Sequence, residues 1–167
     1  LCLFAMLKVY HIFRGGFLRY PCNLWYNPIM EGENMENQPT LRETKKHGAA
    51  WFPFNIYPCA IPQDFTQVAL HWQDSMELVF VKKGRGIVQA GLTSYTAAAG
   101  DIYVFAPGVL HALRQLDNER MEYENIIFDL ELLGGSGDVA AEKYLLPLQS
   151  GRLALPMRLT PDDWSYD

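Results

Sequence analysis

His71, Gln73 and Glu77 precede the apolar run Leu78–Val81, and His111 follows a Pro107-Gly108 turn later in the chain. In an extended strand alternate side chains share a face, so His71 and Gln73 point the same way, and after a short turn Glu77 can rejoin that face with Val79 and Val81. Two imidazoles, a carboxamide and a carboxylate can therefore converge. Histidine and carboxylate suit zinc, iron, manganese or nickel, and open coordination positions suit catalysis, which makes His71, Glu77 and His111 candidate metal ligands. Gln73 weakens that case, because a neutral amide is a poor ligand. The plain alternatives stay open: imidazoles that satisfy buried backbone groups, a Glu77 that faces water, and a Gln73 that is a hairpin turn residue.

The elements that would position these groups are strands. From Val68 to Leu130 the chain divides into VALHW, MELVFVK, GIVQA, DIYVFA, HALRQL and YENIIFDL, separated by turn residues, which is the pattern of an all-β sandwich or barrel. Lys83-Gly84-Arg85-Gly86 is expected as a hairpin turn. The preceding WFPFNIYPCAIP is expected as an extended arm, since Pro53, Pro58 and Pro62 forbid helix. Trp51, Phe52, Phe54 and Tyr57 are expected to cover one end of the core. After Leu133, GGSGD reads as a loop, and Val139, Tyr144 and Leu145 have helical spacing in a short helix that Pro147 should stop and that should pack on the strands. Thr160-Pro161 begins a second helix-start pattern.

Residues 1–34 are apolar without period, and the reading is a non-native or unfolded extension ahead of Met35. The division expected is 1–34 extension, 35–66 arm, 67–133 barrel, and 134–167 loop, short helix and start of a linker. A formal charge of −5 argues against a phosphate-binding surface on this chain. Three cysteines without CxxC spacing suggest neither a disulfide framework nor structural zinc, which fits a reducing cytoplasm. Lys8, Arg14 and Arg19 interrupt the apolar N-terminus before a membrane-spanning length.

The spacing His71-x-Gln73-x3-Glu77-x6-Gly84, followed by Gly100-x6-Pro107-Gly108-x2-His111, resembles the paired motifs of the cupin superfamily. The cupin pattern has a second His where Gln73 stands and a Gly ahead of His71 that is absent here. Over roughly residues 50–160 the chain resembles the N-terminal sensor domain of AraC-type transcriptional regulators. That resemblance implies a cupin-like, double-stranded β-helix or jelly-roll barrel with a short C-terminal helical segment. It also implies a small-molecule effector, a sugar or sugar derivative, held by His71, Gln73, Glu77, His111 and Tyr123, with Trp72 or Tyr123 as a stacking face. DNA would be bound only through a helix-turn-helix domain outside this chain, and the full-length protein would be a homodimer. No catalysis and no cofactor are then expected. The rival is a stand-alone metal-dependent cupin enzyme, an isomerase or dioxygenase, with a divalent metal on His71, Glu77 and His111.

Overall fold

Parity along one strand organises the molecule: Glu77, Val79 and Val81 turn to one side, while Leu78 and Phe80 turn to the other. The computed structural model describes residues 41–135, 137–164 and 166, so the expectations for residues 1–34 lie outside it. Eight strands are described: β1 (Phe54–Ile61), β2 (Gln67–His71), β3 (Met76–Ala90), β4 (Thr93–Ala98), β5 (Ile102–Phe105), β6 (His111–Gln115), β7 (Met121–Phe128) and β8 (Arg158–Leu159). The pairings between them are antiparallel. One sheet runs β1-β7-β3-β5-β8, and the other joins β2, β6 and β4 to the second half of β3. The all-β, cupin-like barrel with a short C-terminal helical segment is the architecture found.

On the first sheet the inner core is built by alternate residues of β1, β3, β5 and β7, including Tyr57, Cys59, Tyr103, Phe105, Tyr123 and Ile127. Opposite-parity residues such as Phe54, Ile102, Val104, Ile126 and Phe128 form a second cluster on the outside of that sheet. A single 3-10 turn, Leu130–Leu132, and a helical segment cover this outer cluster. The segment opens with a π-helical stretch, Ala141–Leu145, and continues as α1, Leu146–Gln149. Ala141, Leu145 and Leu148 are its buried face. Val139 and Tyr144, expected to pack, are exposed, because the face that meets the sheet is set by the 141, 145, 148 spacing. Pro147 does not stop the helix. It lies in the first turn of α1, where a missing N–H costs nothing.

Three other expectations change. Lys83-Gly84-Arg85-Gly86 is not a hairpin but the bend of a continuous 15-residue β3, with a register shift against β7 between Val81 and Lys83. Gly84 explains why: at φ +71° a Cβ there would sit 1.8 Å from the carbonyl oxygen of Arg120. The glycine lets β3 bend from one sheet into the other with Arg120 packed against it. The hairpin lies instead beyond Ala90, leading into β4, a strand that the threonine- and alanine-rich TSYTAA did not announce. The extended WFPFNIYPCAIP stretch contributes β1, paired to β7 from Phe54↔Phe128 to Ile61↔Met121, and as an edge strand it tolerates Pro58. Its aromatics do not act together, since Trp51 is exposed while Phe54 and Tyr57 enter different clusters.

Cys59 is disulfide-bonded, contrary to the reading of the cysteine spacing. Thr160-Pro161 forms a turn in which the Asp163 carboxylate accepts from the Thr160 N–H and hydroxyl at 2.6 and 2.8 Å. Among the described residues no helix is longer than these short segments, and none is long and apolar enough to cross a membrane.

Replacing Gly84 tests the bend. Gly84→Ala must abandon the left-handed conformation or displace the Arg120 carbonyl, and we expect a loss of at least ~2 kcal/mol in urea denaturation. A change within about 0.5 kcal/mol, the range of ordinary surface substitutions, would show that the bend does not depend on this residue.

Candidate functional site

The two histidines face each other across a strand pair. His71 ends β2 and His111 opens β6, in direct register, with ring centroids 4.2 Å apart. Each ring is held in the same way: Nδ1 lies 2.8 Å from the carbonyl oxygen two residues earlier, Ala69 for His71 and Val109 for His111. A carbonyl can only accept, so Nδ1 of each ring carries the proton and Nε2 is left for the interior. Phe105 stacks on His111 at 4.1 Å and 6° and fixes the ring plane.

Glu77 enters from β3, between Phe105 of β5 and Ile127 of β7. Gln73 sits in the turn between β2 and β3, and its own carbonyl accepts the Gly108 N–H at 2.9 Å, which ties this turn to the Pro107-Gly108 turn ahead of His111. Gly108, at φ +80°, adopts a conformation that a side chain would oppose. The three groups meet at one atom. Glu77 Oε2 accepts from Gln73 Nε2 at 2.7 Å and lies 3.1 Å from His111 Nε2, with all three residues buried.

Burial alone would raise the Glu77 pKa and lower that of His111, yet their mutual charge and hydrogen bond reverse both directions. Both ring nitrogens of His111 meet acceptors, Nδ1 the Val109 carbonyl and Nε2 the Glu77 carboxylate, which is the arrangement of an imidazolium against a carboxylate. His71 behaves oppositely: burial, with the charge of His111 added, lowers its pKa and keeps it neutral.

The structure brings together His71, Gln73, Glu77 and His111, four of the residues singled out from sequence. Tyr123 is on the same interior side, fully packed between β1 and β3, with its hydroxyl kept protonated by burial and by the charges of Glu77 and Asp64. Trp72 points elsewhere, its ring under the Arg42 guanidinium at 5.4 Å.

Two members of the site were missed. Asn125, on β7, hydrogen-bonds Glu77 and belongs to the inward parity of Tyr123 and Ile127, a signal present in YENIIF. Glu43 carried no such signal. Its segment joins the barrel by a parallel bridge, with Glu43 N–H donating to Trp72 O at 2.8 Å and Trp72 N–H to Leu41 O at 2.9 Å. This places Glu43 Oε2 3.5 Å from His71 Nε2. His47, four residues on, packs edge-on against Tyr57 and reaches its hydroxyl at 3.0 Å.

A divalent metal fits the donors in kind. His71, Glu77 and His111 each offer one ligand atom within 4.8 Å of the others, and the carbonyl bonds at Nδ1 orient both imidazoles as ligands require. Such an ion would supply Lewis acidity. It would compete with the proton on His111, and Gln73 faces Glu77 with its nitrogen, acting as a donor to the carboxylate and not as a fourth ligand.

The family model described as AraC-like ligand binding domain matches residues 55–158. No curated protein matches the chain significantly. Similar solved structures include a cupin 2 conserved barrel domain protein from Salinispora arenicola, at 18% identity and TM-score 0.43, covering 48% of this chain and 67% of that one. Another is the DMSP lyase DddQ from Ruegeria pomeroyi, at 23% identity and TM-score 0.40, covering 47% and 40%. A third is ToxT from Vibrio cholerae, bound to an unsaturated fatty acid, at 16% identity and TM-score 0.40, covering 54% and 36%. The matched region is thus about a third of the length of ToxT.

The segment that carries Glu43 gives a pH test. Burial first, then the Glu77 charge, pushes the Glu43 carboxyl up to about 7 from 4.5. A raised carboxyl pKa means that the folded chain holds a proton the unfolded chain releases, so this group costs stability as pH rises from 4.5 through 7. Glu43→Gln should therefore be more stable than the parent at pH 8, by up to about 2–3 kcal/mol, with the difference shrinking towards pH 4.5. Urea titrations at the two pH values check this, and a pH-independent difference would contradict it.

Proposed function

The chain belongs to the AraC-like ligand-binding domain family, and from that premise we propose that its barrel senses a sugar or sugar derivative through the Gln73, Glu77 and His111 cluster. The observation that carries the reading is unspent hydrogen-bonding capacity inside the fold. Gln73 Oε1, Asn125 Oδ1 and His71 Nε2 are buried, and no protein group bonds them. Each such atom costs roughly 1–3 kcal/mol when left unmade. A fold without use for these atoms would fill the space with apolar side chains, as the rest of the inner core does. A polyhydroxyl ligand can satisfy several of them at once.

In this reading the readout is transcriptional. A helix-turn-helix domain on the same polypeptide, outside this chain, binds DNA as part of a homodimer in the cytoplasm, and the effector changes how its two copies are arranged. That requires different effector affinity in the two arrangements. Residues 41–47 are suited to report occupancy, because Glu43 both docks on Trp72 and reaches His71. The barrel carries out no reaction of its own. A second reading, a metal-dependent enzyme, is favoured by one observation, the convergence of ligand atoms from His71, Glu77 and His111.

A thermal-shift screen against mono- and disaccharides tests the proposal. A ligand confined to the folded state adds about 2.7 kcal/mol at a hundred times its dissociation constant, so a saturable rise in melting temperature is expected, lost in Gln73→Leu. If no saccharide shifts the transition while the purified protein holds about one equivalent of iron, manganese or nickel, the enzyme reading replaces this one.

A further inference from the structure

The edges of the two sheets are not alike. Among the described residues, β1 carries Pro58, β8 is two residues long, and β2 is broken by a register shift between Val68 and His71 and met by the bridge from Arg42 to Trp72. Proline, shortness and irregularity all keep a sheet edge from pairing with another chain. β4 has none of them. Its six residues, TSYTAA, include no proline and no charge, and its ladder with β3 runs unbroken from Arg85↔Ala98 to Ala90↔Thr93. The free side of β4 follows from its neighbours. Arg85 and, just past the strand, Gly91 donate to the carbonyls of Arg120 and Leu110 at 3.3 and 2.7 Å, on the side of β3 away from β4. In an antiparallel ladder each residue turns its N–H and C=O the same way, successive residues alternate, and opposite residues match. Ala98, Thr96 and Ser94, which stand opposite Arg85, Ile87 and Gln89, therefore turn theirs away from β3. Ala98 agrees: its N–H goes to the Asp101 carboxylate and its carbonyl accepts the Asp101 N–H, both at 3.0 Å. Ser94 and Thr96, both exposed, are left with one donor and one acceptor each on that side.

We propose that β4 is a docking edge for a second copy of this chain, the two strands lying antiparallel about a twofold axis at Tyr95. That register sets Ser94 of each copy opposite Thr96 of the other, so every outward N–H meets an outward carbonyl. The strand is uncharged, so pairing it with itself sets no like charges together, although the whole chain carries −5. The Ser94 and Thr96 side chains share the outer face and meet across the axis, a favourable cross-strand pair. Leu92, fully exposed in the turn before β4, lies three residues ahead of the axis, and Ala98 and the exposed Ala99 lie three and four residues behind it. Each copy's leucine is thus brought to the other's alanines. The charges nearest the strand are already engaged, Arg158 with Asp101 and Arg85 with Glu119. A single edge that pairs with itself closes as a dimer and not as a fibre. The contact lies outside the barrel interior, so it and the sensor reading stand or fall separately.

Sedimentation velocity of the full chain over a concentration series tests the contact. One strand pair makes a small, transient interface, so a monomer–dimer equilibrium with a dissociation constant of about 10–100 μM is expected. As the dimer fills, amide exchange at Ser94 and Thr96 should slow roughly tenfold, while Tyr95, whose N–H already faces β3, should not change. Thr96→Pro removes an N–H that the ladder to β3 does not use, and should abolish the dimer while its circular dichroism matches the parent. Ser94→Lys/Thr96→Lys sets lysines opposite lysines and should abolish it too, as should Ser94→Glu/Thr96→Glu, whereas an equal mixture of the two double variants should associate again. Val139→Lys, at an exposed position beside the helical segment, should leave the dimer unchanged. A chain that stays monomeric throughout the series, a dimer indifferent to the β4 variants, or a mixture that fails to associate overturns the proposal. Loss of the dimer in Val139→Lys alone also overturns it and moves the contact to the helical segment.

Discussion

A carboxylate buried in an apolar barrel has to be neutralised by a proton or by partners, and for Glu77 the partners are already built in. His111 supplies the opposite charge, and Gln73 and Asn125 supply amide donors. Each partner comes from a different place in the chain, so the carboxylate can be satisfied only when β3, β6, β7 and the turn after β2 are all in register. Removing one member would leave the others desolvated and unpaired, which costs several kcal/mol in comparable buried pairs. The cluster thus couples the two sheets at one point. The satisfaction is lopsided, however, because every donor is turned towards Glu77 and the acceptors that come with those donors are left over.

The fold provides what this arrangement requires. The bend at Gly84 lets one strand serve both sheets, so that Glu77 and the strand partners of His111 lie on a single continuous β3. The carbonyls of Ala69 and Val109 fix both imidazole tautomers, and Phe105 holds the plane of His111. The Gly108 bond to Gln73 locks the two loops that carry the polar groups against one another. On the far side of the first sheet, the helical segment closes the outer cluster.

Much of this was legible from residue types alone. Alternation puts Glu77, Val79 and Val81 on one face, and the resemblance to the paired cupin motifs implies that His71 and His111 converge. The failures have physical causes. Gly84 and Gly86 are ordinary turn residues locally, and only the approach of Arg120 and Met121, distant in sequence, shows that they bend a strand instead of reversing it. Tyr144 has helical spacing, but which face packs is decided by the sheet it meets. Glu43 sits among Arg42, Thr44 and Lys45, where a carboxylate looks solvated, and its burial follows from a bridge to Trp72 that has no local signature.

The protonation states of the two histidines test the central claim most directly, and two-bond nitrogen–proton NMR of the imidazoles reads them without any ligand. At neutral pH, His111 should show both ring nitrogens protonated, and His71 should show Nδ1 protonated with a pyridine-type Nε2. That result would establish an internal ion pair beside an open acceptor. A neutral His111, or a His71 protonated at Nε2, would contradict it.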